Sequence, residues 1–277
     1  MPKVICLVND GTLEGMDLIA EHGVAFWIDT GHGIVLFDTG QTPRALAHNL
    51  ECLGLEARDI CALALSHGHY DHTGGLEAIL CQNMGLTLFA HSRIFEQRYS
   101  LREGRYESIG IPISRETVAK CVEFFLSDEP VEIFRGLWTT GEIKERCDPE
   151  GRSAHHLIRQ GENWLPDPYI DDLSLVLKTS EGLAVICGCC HAGLLNTLFQ
   201  VKRMFREPIS TVIGGTHLVN ADDRYLNHVA ETIRDHFGSP HFYLNHCTGE
   251  RAFRILQQTF GENVQPCPAG SRLDFDP

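Results

Sequence analysis

Four side chains able to bind a metal crowd into the six positions 67–72: His67, His69, Asp71 and His72. They follow the apolar run Ile60-Cys61-Ala62-Leu63-Ala64-Leu65 and precede Gly74-Gly75. A short apolar run that ends in Gly-rich turn residues reads as a buried strand. The cluster is therefore expected on the loop leaving a strand's C-terminal end, the edge of an open α/β sheet where ligands bind. In a tightly turned loop, side chains two apart share a face. His67 and His69 then point to one metal position, and Asp71 and His72 to a second. Imidazole and carboxylate suit zinc, while manganese or iron would accept the same ligands. Two divalent ions fed by one loop would sit about 3.5–4 Å apart.

The rest of the chain repeats the strand-then-histidine theme. Val24–Ile28 and Ile34–Phe37 flank Gly31-His32-Gly33 as a hairpin. Pro43 opens a helix that Gly54 ends. Leu76–Gln82 is expected as a helix and Leu86–Ala90 as a strand. Leu173–Lys178 and Leu183–Cys187 form a second hairpin, followed by a helix over Leu194–Phe205. Thr211–Ile213 is a strand leading to His217, and Asp222–His236 a helix. His241–Leu244 is a strand leading to His246, after which Thr248 caps a helix to about Thr259. His191, His217 and His246 thus each follow a strand end, and all are expected at one rim with the 67–72 loop. His191 is expected to complete the first metal position and His246 the second.

Asp71 is expected both to hold an ion and to orient the nucleophile's proton; His217 either donates a proton to the leaving group or orients a ligand imidazole. Asp38, Asp171 and Asp172 are expected to orient ligands or cap loops. His155-His156 reads as a surface pair, and His22, His32, His48, His91, His228, His236 and His241 as ordinary surface or core residues.

These motifs, His-x-His-x-Asp-His above all, resemble the signature of the metallo-β-lactamase superfamily. The resemblance runs through Leu36-Phe37-Asp38-Thr39-Gly40, Asp171–Val176, Gly188-Cys189-Cys190-His191-Ala192-Gly193, Gly214-Gly215-Thr216-His217-Leu218 and Asn245-His246-Cys247-Thr248-Gly249. In that order they look like the branch related to 7,8-dihydropterin-6-methyl-4-(β-D-ribofuranosyl)-aminobenzene-5'-phosphate synthases. It implies an α/β fold, a four-layer αββα sandwich, with a partly helical insertion. It also implies a metal-dependent hydrolase acting on an ester, phosphoester or amide. The alternatives are a condensing transferase of pterin synthesis and a non-catalytic metal-binding protein. Many superfamily members carry a bridging Asp where this chain has Cys189. Either Cys189 bridges as thiolate, or His191 substitutes, or the second position is weak; a structural Cys in a tight turn is the remaining reading.

The sequence reads as one domain over 1–277 with an insertion at about 92–168, since no linker-like run separates two halves. Its irregular stretch holds an amphipathic helix over Ser114–Phe125. Aromatics there (Phe95, Tyr99, Tyr106, Phe124, Phe125, Trp138) suit either a homodimer interface or packing within the insertion. The net charge of −14 argues against nucleic acid as a partner; scattered Lys and Arg suit a small anionic substrate. No apolar run approaches a membrane span of about 20 residues. The eleven cysteines, many in apolar strands, read as reduced thiols of a cytoplasmic protein, with no zinc ribbon or thioredoxin-like motif.

Overall fold

The chain alternates buried strands with amphipathic helices twice over. In the computed structural model, which describes residues 1–276, this yields two seven-stranded sheets packed face to face. The first half supplies strands Lys3–Val8 (β1), Ala25–Asp29 (β2), Ile34–Phe37 (β3), Ala62–Ala64 (β4) and Leu86–Ala90 (β5). Its helices are Pro43–Cys52 (α1), Tyr70–Thr73 (α2) and Leu76–Leu80 (α3). Then come Arg98–Arg102 (β6), Arg105–Ser108 (β7), Arg115–Val118 (α4), Val122–Leu126 (β8), Glu132–Phe134 (β9), Leu137–Thr139 (β10), His156–Gln160 (β11) and Asn163–Pro166 (β12). The last part contains Ser174–Thr179 (β13), Gly182–Cys187 (β14), Leu194–Met204 (α5), Ile209–Gly214 (β15), Asp223–Phe237 (α6), His241–Leu244 (β16), Glu250–Phe260 (α7), Val264–Pro266 (β17) and Arg272–Asp274 (β18).

The first sheet has order β18-β1-β2-β3-β4-β5-β8, the second β17-β16-β15-β14-β13-β10-β9. Strands β3, β4, β5 and β8 are mutually parallel, as are β14 to β17. Both faces of the central strands β3, β4 and β14 are covered, so these read as continuous apolar runs. Leu63 packs toward α1 and α3, whereas Ala62 and Ala64 face the opposite sheet with Phe26, Phe37, Leu175 and Ile186. Likewise Val185 faces α5 and α6, and Ala184 and Ile186 fill the inter-sheet layer. Three apolar layers thus lie between four layers of secondary structure, an αββα sandwich.

The segment 92–168 divides three ways. Strands β6, β7, β11 and β12 build a separate four-stranded antiparallel sheet, β8 joins the first main sheet, and β9 and β10 join the second. The helix expected over Ser114–Phe125 forms only at Arg115–Val118, capped by Ser114 as expected. Residues 122–126 instead extend beside β5, with Val122 buried and Phe124 packed against the first core. Pairing with a waiting sheet edge overrides the local helical pattern. Thr248 does not cap α7; it lies in a short 3-10 turn, and Gly249 takes the cap. Among the described residues no helix is long and apolar enough to cross a membrane.

Candidate metal centre

The C-terminal ends of parallel strands in both sheets meet at one rim. Asp38 follows β3, the 67–72 loop follows β4, Cys189 and His191 follow β14, His217 follows β15, and His246 follows β16. The approach of the two sheets is close: a Cβ on Gly188 would overlap Ser66 Oγ. Of the six non-glycine residues with positive φ, Asp38, Tyr169, Cys190, His217 and His246 lie at this rim. Such backbone is costly for residues with a side chain and persists where the surroundings impose it.

Four of the five imidazoles of the cluster, all but His69, have one nitrogen hydrogen-bonded to oxygen, leaving the other directed inward. His67 Nδ1 donates to Ser66 Oγ (2.9 Å), which donates to Asp38 Oδ2 (2.6 Å). His72 Nδ1 donates to Asp38 Oδ2 (2.7 Å), His191 Nδ1 to the Gly151 carbonyl (2.8 Å) and His246 Nδ1 to Asp10 Oδ2 (2.9 Å). His69 is turned the other way, with Nε2 4.0 Å from Asp167 Oδ2 and Nδ1 3.0 Å from His67 Nε2. This is how ligand imidazoles are fixed in tautomer and direction. Their free nitrogens, with Cys189, form two overlapping groups: His67, Cys189 and His191, and His72, Cys189 and His246. His72 Nε2 lies 3.1 Å from Cys189 Sγ, and His246 Nε2 3.4 Å from Asp71 Oδ2. Cys189 belongs to both groups. Imidazole, carboxylate and thiol together suit a borderline-soft divalent cation such as zinc.

Electrostatics separate the two groups. Burial, reinforced by neighbouring imidazoles, holds His67 and His191 well below the usual histidine range, and burial does the same to His69. Those three rings are neutral, as metal ligation requires. Burial also opposes charge on His246, but hydrogen bonds to Asp10 and Asp71 outweigh it and lift it well above that range. Asp71 is buried, yet His72 and His246 hold its carboxyl well below normal. Burial, with Cys247 beside it, pushes the Cys189 thiol well up. Burial opposes ionisation of Cys247 too, but hydrogen bonds from Cys189 and His217 bring it well down.

A buried ion cluster supports the loop from outside. Arg98 of β6 reaches Asp171 at 2.6 Å and Asp167 at 3.1 Å, and Asp171 Oδ2 accepts from the Gly68 N–H at 2.8 Å. Burial keeps the Asp167 carboxyl above its ordinary range even beside Arg98, so Asp171 is the stronger partner. Asp172 accepts from the Ala192 N–H at 2.9 Å, and burial pushes its carboxyl up to about 7.

A cavity of about 310 Å³ opens over the cluster. His217 lines it, its ring tilted against His191 with centroids 4.2 Å apart, and its Nδ1 is buried without a partner. Two residues belong here that read from sequence otherwise, His156 as part of a surface pair and His22 as ordinary. His156 lines the cavity 5.2 Å from the His69 ring and bonds Tyr169 Oη at 2.8 Å. His22 also lines it, with Nε2 3.3 Å from Asp71 Oδ2. Neither carries a local spacing signal; the small sheet and the β1–β2 loop bring them in. His155 is exposed, as expected. Arg102, also on the wall, is the one Arg or Lys among the described lining residues. Contrary to the expectation of no thioredoxin-like motif, Cys187-Gly188-Cys189-Cys190 has a Cys-x-x-Cys spacing. Cys187 and Cys190 both lie in the apolar core against α5, away from solvent.

Comparisons with known proteins agree with this fold. A family profile described as the metallo-beta-lactamase superfamily matches residues 19–115. The chain is 27% identical over 287 aligned positions to a 7,8-dihydropterin-6-methyl-4-(beta-D-ribofuranosyl)-aminobenzene-5'-phosphate synthase of Methanocaldococcus jannaschii, covering 99% of this chain and 96% of that protein. It is 31% identical over 242 positions to an uncharacterized protein of the same organism, covering 86% and 88%. Among solved structures, Tm1679, a metal-dependent hydrolase of the beta-lactamase superfamily, superposes over the whole of both chains with a TM-score of 0.86 and 27% identity. Zinc-bound PqqB from Methylobacterium extorquens is similar in fold, with a TM-score of 0.57 at 11% identity, covering 99% of this chain and all of that one.

Proposed function

Because the chain belongs to the metallo-β-lactamase superfamily, we propose that it is a two-metal hydrolase of a small anionic ester, phosphoester or amide. The observation that carries this reading is the pair of donor groups sharing Cys189. His67, His69 and His191 would hold the first ion, and Asp71, His72 and His246 the second, with Cys189 between them. The chemistry supplied there by divalent ions is Lewis acidity and a water acidic enough to attack near pH ~7.

The chain's own groups would do the remainder. Asp71, kept ionised by its neighbours, orients the attacking water and takes its proton. His217, with its ring on the cavity wall, donates to the departing group. Arg102 meets the substrate's negative charge. The small sheet covers one side of the cavity and limits water there.

The test is elemental analysis joined to a substrate screen with the metal-stripped and zinc-reloaded protein. About two ions per chain and turnover of a phosphodiester, lactone or thioester only when loaded are expected. His67→Ala and Asp71→Ala should lose metal and activity together. Full activity after stripping would overturn the reading.

A second reading is favoured by similarity along nearly the whole chain to the dihydropterin phosphate synthase. The same site would then join the 6-methyl carbon of a dihydropterin to the amine nitrogen of 4-(β-D-ribofuranosyl)aminobenzene 5'-phosphate, breaking the bond from that carbon to an oxygen leaving group, which departs as the amine loses its proton. Tight calorimetric binding of that phosphate, weakened by Arg102→Ala, together with condensation in a coupled assay, would support it over hydrolysis.

A further inference from the structure

We propose that His22, outside the His-x-His-x-Asp-His motif, is an additional ligand of the second metal position. This rests on the two-metal reading above.

Two imidazoles are presented to Asp71 in the same way. Asp10 accepts from His246 Nδ1 on Oδ2 (2.9 Å) and from His22 Nδ1 on Oδ1 (2.8 Å). The opposite nitrogens then converge on one carboxylate oxygen. Asp71 Oδ2 lies 3.3 Å from His22 Nε2, 3.4 Å from His246 Nε2 and 3.7 Å from His72 Nε2. Ligands bound at about 2.1 Å in a tetrahedron are about 3.4 Å apart. Each of those separations from Asp71 Oδ2 is close to what two donors sharing an ion would show. All three rings also have Nδ1 on a carboxylate, Asp38 in the case of His72, which is the usual support for a metal-bound histidine. An ion on the Asp10 side instead would have to displace both of these hydrogen bonds.

The backbone is built for this approach. The Val24 N–H donates to the Asp71 carbonyl at 3.3 Å, and a Cβ on Gly23 (φ +128°) would overlap that same carbonyl. Gly23 therefore lets the strand entering β2 lie against the metal loop, which sets His22 beside Asp71. Asn9 adds to the arrangement by accepting from the His246 N–H at 3.0 Å. The His22 ring lies 4.7 Å from that of His246 and is 55% exposed, on the solvent side of the cluster. With His22 counted, the second position has four donors before Cys189 is added, as in closed zinc sites. The exchangeable coordination place would then belong to the first position.

The test is cobalt(II) titration of the metal-stripped full-length protein, wild type against His22→Gln, followed by visible absorption and by proton NMR. Loss of a hydrogen-bonding partner of a ligand already costs about 10–100-fold in affinity. His22→Gln is expected to weaken one of the two cobalt equivalents by about 100-fold and leave the other unchanged. It should also remove one hyperfine-shifted exchangeable imidazole N–H signal. Because His22 is exposed, the variant should unfold with the wild-type midpoint in urea. Unchanged affinities and an unchanged set of shifted signals would overturn this inference while leaving the two-metal reading intact. Failure of the wild type to bind cobalt would overturn both.

Discussion

On the two-metal reading, a proton on His246 sets how the second position loads. In the metal-free protein an imidazolium at His246 faces the ionised carboxylates of Asp71 and Asp10. A cation entering there must displace that proton, so its affinity should rise with pH until the raised pKa of His246 is passed. The first position, built from rings already neutral, should load with little proton release. Cys189 adds one more proton if it binds as thiolate, since burial keeps it a thiol beforehand. Calorimetric metal titrations in buffers of different ionisation enthalpy should therefore count about one proton fewer in Cys189→Ser than in wild type. Asp172 gives a second residue-scale expectation, this one on stability. Its folded pKa, about 7, lies above the ordinary carboxyl value, so the fold prefers it protonated. That contribution is fully present below about pH 4 and is lost as pH rises through about 7, on the order of 4 kcal/mol in all. Asp172→Asn keeps an oxygen for the Ala192 N–H and should be more stable than wild type at pH 8 but not at pH 4, by urea denaturation.

At the scale of elements, the 67–72 loop is held from outside its own sheet. Arg98 comes from β6 of the small sheet, yet through Asp171 it fixes the backbone at Gly68. Removing one partner of a buried ion pair typically costs about 3–5 kcal/mol. Arg98→Met should lower stability by that order in chemical denaturation and also lower metal affinity, since Asp171 and Asp167 would be left buried without their cation. A loss of stability with metal affinity unchanged would show that Arg98 serves the small sheet alone. This coupling was not legible in the sequence, because an Arg in an irregular segment gives no sign of being buried. The strand ends were legible. Ile60–Leu65, Leu183–Cys187 and His241–Leu244 each announce a buried strand, and a histidine follows within a few residues. His22 and Asp10 were not, because only the antiparallel pairing of β1 with β2 brings residues twelve apart together at the rim. The Ser114–Phe125 helix failed for a related reason: its start signal was correct, but a sheet edge claimed residues 122–126.

For the whole molecule, the proposed ligands are divided between the halves. His67, His69, Asp71 and His72 hang from the first sheet, Cys189, His191 and His246 from the second. A bound ion would hold the two sheets together as well as serve chemistry. An ion at 100 times its dissociation constant adds about 2.7 kcal/mol of stability if it binds only the folded protein. Zinc should therefore raise the thermal midpoint of wild type, and His67→Ala should reduce that gain without shifting the metal-free midpoint by as much. Differential scanning calorimetry with and without zinc checks both.

The first sheet does not end where its half of the chain ends. Its outermost strand is Arg272–Asp274, paired with Lys3–Ile5. During synthesis that edge stays open after residue 126 has emerged, for roughly 150 further residues, or about 7–30 s at ~5–20 residues per second. Throughout that interval the nascent N-terminal half exposes the backbone N–H and C=O groups of β1 to any other extended strand. Ribosome-stalled chains halted before Arg272 should accordingly be more prone to pair with one another than chains that have released it.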